Sequence, residues 1–481
     1  MLSHRKSPEC ARAPFRAICK TRATSVCKIW LFICLAGGSL FSSLASAAEE
    51  QKAPLAGEPF QMEVKGREID VPARDRRNQT AIDVGVLLIP KGPRTQQVNP
   101  YGSLFVWRND DTRRFRGTFA GLYNDVRYNV GSQRAHGWEA VFTFNNYIVP
   151  FGRYEDVEGR AITDVELKWS SIFAGLGIGY RKSLPPGHQD SALEMALTYE
   201  PGYLWFDRGK LASPQFTVPS DTYEGRVHFR LRTDMLDRNF MELAHRGVSF
   251  GGDFVSGHRA HWQPWGGVVF DSPNVNKERD YLAGSVYAVA AGGVPFVASD
   301  RHRLIASAYG GIGEHLDRFS AFRLPGRPKG YEWDAISRPM LPGVAFNELF
   351  PSKYVITDLT YRFGANLALY PYIRGTYAVV ERPRFANNGT IKMQMDPLPA
   401  VGGGVITRGP WRTQVELNYT YNFGIFRSTD SGPQMGGHGI FISFSRGISS
   451  LFKGSSKAEP KTPLATVPEP APADEAPPII K

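Results

Sequence analysis

The sequence predicts an all-β protein, a transmembrane antiparallel β-barrel of about 16 strands with one long outer loop. Three observations lead there. Residues 1–47 read as an export signal. Short segments of alternating apolar and polar residues recur between residues 80 and 447. Outside the signal, no run approaches the ~18 consecutive apolar residues of a helical membrane span.

The signal divides into a basic stretch, an apolar stretch over residues 29–44, and Ala45-Ser46-Ala47, a small-residue cleavage site. All four cysteines (Cys10, Cys19, Cys27 and Cys34) lie inside it. The exported chain therefore holds neither a disulfide nor a thiolate metal site, and a closed ladder of strands is left to supply its stability. Seven of the 57 Lys and Arg and one of the 46 acids also lie in the signal, so the formal charge falls from +11 to +5 on cleavage. The basicity of the whole chain is thus partly a targeting feature, and it argues against nucleic-acid binding. The chain carries 30 Phe, 20 Tyr and 49 Gly, a composition that suits a barrel with aromatic girdles.

The clearest strand is residues 412–423. Val415, Leu417, Tyr419, Tyr421 and Phe423 fall on one face, and Gln414, Glu416, Asn418, Thr420 and Asn422 on the other. A strand half-buried in a soluble sandwich shows Lys and Glu to water, whereas an Asn/Thr/Gln row suits a lumen opposite lipid. The other candidates are residues 82–89, 101–107, 115–123, 138–147, 165–171, 172–180, 192–206, 222–233, 248–255, 281–290, 303–311, 354–363, 367–380, 398–407 and 437–446. After Phe363 the connections run short, long, short and long, as periplasmic turns alternate with outer loops. On that count residues 312–353 form the longest outer loop, between strands eleven and twelve, and a loop of that size carries function. Residues 48–79 read as a short, irregular periplasmic segment, residues 80–447 as the barrel, and residues 448–481 as a disordered Pro/Ala-rich tail.

Three stretches resemble the bacterial surface antigen family, the BamA/TamA-type outer-membrane assembly and secretion barrels. They look closest to the barrels of patatin-like outer-membrane lipases. The first runs from Arg230 through Asp234 and Asp237 to Arg246-Gly247, similar to the family's strand, Asp-rich turn and Gly-started next strand. The second, Phe322-Arg-Leu324-Pro-Gly326-Arg-Pro-Lys329-Gly330-Tyr331, is similar to the sixth-loop signature, with Pro325 for one Gly and Lys329 where many members have Arg. The third is Ala400-Val-Gly-Gly-Gly404 with the two closing strands. The resemblance implies that the long loop folds back into the lumen and is latched there by Lys329, Gly330 and Tyr331. Its partner acids, inward by alternation, would be Asp358 and Glu416. Lys329 lacks the bidentate fork of an arginine, which implies a looser latch. Neither the POTRA domains nor the fused lipase of family members fits in residues 48–79. The implied partners are the lipid bilayer, the barrel assembly machinery, and a separate POTRA-bearing or lipase protein in the periplasm.

No cofactor, metal site or catalytic residue is expected. Gly247-Val-Ser249-Phe-Gly251 matches a nucleophile elbow, but that chemistry needs a strand, a strained turn and a helix, and here the serine sits in a strand pattern. Gly175-Leu-Gly177-Ile-Gly179 is followed by no helix and reads as a bare inner wall with room for the inserted loop. Arg230, Arg232, Arg362 and Arg374 fall on polar faces and should line the lumen. Two functions stay open at this point: a barrel serving protein or lipid transport or assembly, and a passive pore that those arginines would make anion-selective.

Overall fold

The computed structural model describes residues 53–64, 67–71, 76–92, 97–110, 112–131, 136–158, 160–184, 191–266, 278–324, 336–346, 348–385, 391–409, 413–429 and 432–448. The predicted signal, all of the tail but Ile448, and Lys329, Gly330 and Tyr331 lie outside them. The chain separates into two compact units, Met1–Ala53 with Ala298–Asp300, and Pro54–Val297 with Arg301–Lys481. Only Ala53 and Ala298–Asp300 of the first unit are described. The second contains every strand.

A hairpin comes first, β1 (Phe60–Val64) with β2 (Arg67–Val71), in a segment that the sequence suggested to be irregular. The ring then starts with β3 (Asn78–Leu88), β4 (Val98–Asn109), β5 (Arg113–Phe119), β6 (Tyr123–Gly131), β7 (His136–Ile148), β8 (Arg153–Val157) and β9 (Arg160–Ser183). It continues through β10 (Ala192–Arg208), β11 (Thr222–Arg238), β12 (Ala244–Arg259), β13 (Asp280–Gly293), β14 (His302–Glu314) and β15 (Lys353–Phe363). The last four are β16 (Leu369–Phe385), β17 (Ile391–Arg408), β18 (Gln414–Thr429) and β19 (Gly432–Gly447).

Every neighbouring pair is antiparallel, and β19 returns to β3 with Ile440 opposite Leu88 and Gly447 opposite Ala81. The closed ring has 16 strands plus one extra, β8, which folds onto the end of β9 while β7 pairs directly with the rest of that strand. No α-helix occurs among the described residues. Closure leaves no free ladder edge in the ring.

Alternation decides which way each strand faces. In β18, Leu417, Tyr419 and Phe423 are exposed on the outside, while Asn422 is fully buried inside. In β11, Tyr223, Val227 and Phe229 are exposed and Glu224, Arg232 and Asp234 are buried. Trp138, Leu176, Tyr199, Phe254, Val286 and Tyr377 continue the exposed apolar surface on other strands. Apolar side chains outside and charged ones inside invert a water-soluble barrel and match one whose outer solvent is lipid.

The number of strands agrees with the sequence-based expectation only because two differences cancel. β6 falls between the expected strands 115–123 and 138–147 and was not expected: its inward row, Asp125, Arg127 and Asn129, is wholly polar, and its outward row holds few aliphatic side chains. Residues 165–180 were read as two strands but are one 24-residue strand, β9. Its apolar row changes sides. Val165, Leu167, Trp169 and Phe173 are buried within the molecule, whereas Ile172, Leu176 and Ile178 point outward. The far connections differ too. Residues 381–397 were read as a long loop, yet β16 and β17 stay paired to Phe385 and Ile391, and β18 and β19 to Thr429 and Gly432. Arg382 and Arg384, both bound to Asp396, carry the first of these hairpins onward as a polar ladder.

β3, β5 and β7, and after them β10, β12, β14, β16 and β18, run away from the end where β3 begins and β19 finishes, so the connections β7–β9, β10–β11, β12–β13 and β14–β15 gather at the far end. There Val157, Ile162, Leu167, Phe206, Phe216, Trp262 and Trp265 pack into one apolar cluster with Phe319. Burying such aromatics stabilises by roughly 1.5–3 kcal/mol each. They form a cap over one mouth.

Candidate functional site: the occupied lumen

Between β14 and β15, residues 315–324, 336–346 and 348–352 lie inside the barrel. The strands that surround this segment fix it at both legs. On the outgoing leg, Asp317 accepts from Arg259 of β12 at 2.6 and 3.3 Å, and Arg259 also binds Glu224 of β11 at 2.8 Å. Arg259, Glu224 and Asp317 are each at most 1% exposed. The next residue, Arg318, donates to the carbonyls of Val165 and Arg153 at 3.0 and 3.1 Å. Phe319 fits among Trp169, Phe206, Trp262 and Trp265 with ring centroids 4.8–6.1 Å apart. Leu324 and Leu349 pair as an antiparallel bridge that joins the two legs.

On the return leg, backbone carbonyls of the loop meet donors on the wall. Arg374 of β16 reaches Met340 at 3.4 Å, Asn422 of β18 reaches Pro342 at 2.9 Å, and Arg427 of β18 reaches Gly343 at 3.2 Å. Arg427 closes a salt bridge with Glu348 at 2.9 Å, both side chains being nearly buried. Ala345 packs with Leu87, Ile89 and Phe441, and Phe346 meets Tyr101 edge-on. Buried carbonyls with donors, and charges with partners, are what a segment needs to rest inside a wall.

Glycine makes room for this leg, at a place other than the one expected. The row Gly175, Gly177 and Gly179 does face inward, but Thr143, Glu200 and Val141 of neighbouring strands fill the space beside it. The bare wall that the loop uses is Gly437 and Gly439 of β19. A Cβ on Gly343, itself at φ +71°, would stand 2.5 Å from the Gly437 carbonyl oxygen. Gly343→Ala should therefore loosen the loop by at least the ~1–2 kcal/mol of a left-handed non-glycine backbone. Limited proteolysis of the folded protein should cut the loop faster than in the native chain, and an unchanged cutting rate would rule this out.

The wall itself is a set of charge clusters. Asp253 of β12 accepts from Arg230 at 2.9 Å and Arg232 at 2.6 Å, and lies 2.9 Å from His228 Nε2, whose other nitrogen faces Glu200 at 3.3 Å. Asp358 accepts from Arg374 at 2.7 Å and from the Thr376 hydroxyl. Glu416 accepts from the Tyr372 hydroxyl at 2.6 Å and from Asn418 at 3.2 Å. Arg362 donates to the Ala244 carbonyl at the end where β3 begins. Glu194 collects Arg114, Arg116 and Arg181, and Glu139 shares Arg114.

The four arginines read as lumenal from sequence, Arg230, Arg232, Arg362 and Arg374, are thus on inward faces, and three of them share the two acids Asp253 and Asp358. Asp358 and Glu416 also face inward, with wall residues as their partners. Sequence reasoning missed Arg259, Asp317, Glu348 and Arg427. A lone acid in a loop and an arginine at a strand end carry no periodic signal; only the fold brings them together. Ser249 of the G-x-S-x-G match is 1% exposed and donates to the Thr233 carbonyl at 2.9 Å within the ladder. No group of metal-ligating side chains occurs among the described residues.

No family model matches the chain, and no curated protein matches it. Among solved structures it is similar to BamA from Haemophilus ducreyi lacking POTRA domains 1–3, at 11% identity over 84% of this chain and 77% of that one, with a TM-score of 0.46. It is also similar to CdiB from Acinetobacter baumannii (11% identity, 83% and 66% coverage, TM-score 0.44) and CdiB from Escherichia coli (11%, 84% and 68%, TM-score 0.41). The 16-strand ring rests on its own ladder.

Proposed function

We propose that this chain is an outer-membrane barrel of the surface-antigen type that serves protein or lipid transport or assembly, with a separate periplasmic partner. The observation that carries this reading is the loop: its described legs, residues 315–324 and residues 336–346 with 348–352, lie in the lumen and are bound there. A passive pore has no use for a pinned segment across its path. A gated or assembly barrel does, because a two-position element inside the wall is what a partner would bias. The mouth where β3 begins carries a surface for that partner. At the β11–β12 turn Phe60 meets Phe240 and Arg76 binds Glu242 at 2.6 Å. Lys329, Gly330 and Tyr331 act as a latch at the loop's tip in this reading.

Conductance in planar bilayers tests it. The native protein should show low, flickering current, and deletion of residues 322–334 should give large, stable steps. Those steps should prefer anions, because Arg230, Arg232, Arg362 and Arg374 line the emptied wall and charged rings set selectivity at close quarters. A native protein that already conducts in large, stable steps would sink this reading and promote the passive pore.

A further inference from the structure

Between the cap and the middle of the barrel lies a cavity of about 360 Å³. It is bounded by β6, β7 and β9–β13 and closed on one side by loop residues 319–323. Its size is that of a small-molecule site. Three acids line it, and all have donors. Asp125 accepts from the Tyr123 hydroxyl, Glu200 from Thr143 and Thr198, and Asp253 from Arg230 and Arg232.

Two cations on the same cavity are in the opposite condition. Arg226 uses its Nε on Glu224 at 2.6 Å and lays its guanidinium over Phe173 at 3.5 Å, and its terminal nitrogens meet no acceptor among the described residues. Arg323 stacks on a pair of aromatic rings, 4.3 Å from the Tyr147 centroid and 4.6 Å from that of Trp169. None of its N–H groups meets an acceptor among the described residues. The charged neighbours that act on it are Arg153 and Arg226, both cations. Stacking holds the guanidinium plane and leaves its N–H edge unused, the form in which arginine grips an oxyanion with two parallel bonds. Donors in excess over acceptors, in a space lined by Tyr147, Trp169 and the hydroxyls of Ser171 and Ser320, define what would complete it.

We infer that this cavity binds a small organic anion, a phosphate or carboxylate on a compact apolar body, whose oxygens bridge Arg226 on the wall and Arg323 on the loop. Such a ligand ties the loop to the wall. The cavity lies inside the ring, so the ligand is a soluble molecule and not a lipid held at the outer face.

The test uses the full chain folded in detergent, with phenyl phosphate as the probe and sodium chloride at equal ionic strength as the control. Calorimetric titration should show saturable binding of phenyl phosphate, and saturating probe should raise the unfolding temperature of the native protein. Arg323→Gln should weaken binding at least about tenfold, the usual scale for loss of a charge-assisted bidentate contact. Arg323→Lys should recover only part of it. Arg246→Gln, whose side chain is 70% exposed on the surface, should bind as the native protein does. Heat-modifiable migration on gels reports that each variant is folded. The inference is overturned by an absence of saturable binding to the native protein, by native affinity in Arg323→Gln, or by an equal loss in Arg246→Gln.

Discussion

Replacing Arg259 with Met should unseat the far leg of the lumenal loop while the barrel still assembles. The substitution keeps most of the side-chain volume but leaves Asp317 and Glu224 buried without their shared cation. Breaking one partner of a buried pair costs about 3–5 kcal/mol, because the remaining charge is neither solvated nor compensated. Glu224 keeps Arg226 and the Tyr281 hydroxyl, whereas Asp317 keeps only contacts within its own turn, so the loss falls mainly on the loop. The strand ladder is not involved. The expected result is a heat-modifiable, folded barrel whose loop is cut readily by protease and whose conductance rises toward that of the 322–334 deletion. Arg259→Lys should lie between, since one ammonium cannot span both carboxylates as the guanidinium does. Native conductance together with native protease resistance in Arg259→Met would show that the loop is held by something other than this cluster.

The second large effect concerns the outer face. Leu417 of β18 is 47% exposed, next to the inward Asn418. Leu417→Arg places a charge against lipid, at a cost of ~2–4 kcal/mol near the bilayer midplane and less toward its edges. Folding into lipid vesicles should be impaired, with the variant accumulating in the unfolded form on gels. Asn418→Ser, one residue along and facing inward, should fold like the native chain. If the two variants insert equally well, the outside of this ring does not face lipid.

The fold was legible because a barrel strand repeats one simple physical demand, an apolar residue outward at every second position. β18 meets it from Val415 to Phe423 and was read correctly there; past the irregularity after Asn422 its last residues, to Thr429, were read as loop. β6 fails it because Asp125, Arg127 and Asn129 fill a short strand, and β9 seems to break because its apolar row crosses from lipid side to cap side near Ser171. The orientation of Arg230, Arg232, Arg362 and Arg374 was legible for the same reason. What alternation could not supply was partnership. Asp253 meets Arg230 and Arg232 through strand register, and Glu348 meets Arg427 across 79 positions of sequence. Both depend on where the chain has travelled in three dimensions. The long loop was legible as a length, and its lumenal position through the motif resemblance. Its anchors at Arg259 and Arg427 were not.

The anchors of residues 315–352 are distributed around the ring, on β3, β4, β8, β9, β12, β16, β18 and β19. No local stretch of wall offers more than a fraction of them, so the full set exists only in the closed ring. The loop then works as a gauge of circumference. A ring with one hairpin more or fewer would set Arg259 and Arg427 at the wrong separation, and Asp317 and Glu348 could not both be reached. Sixteen strands are thus selected twice, by the ladder that closes and by the segment that must fit within it.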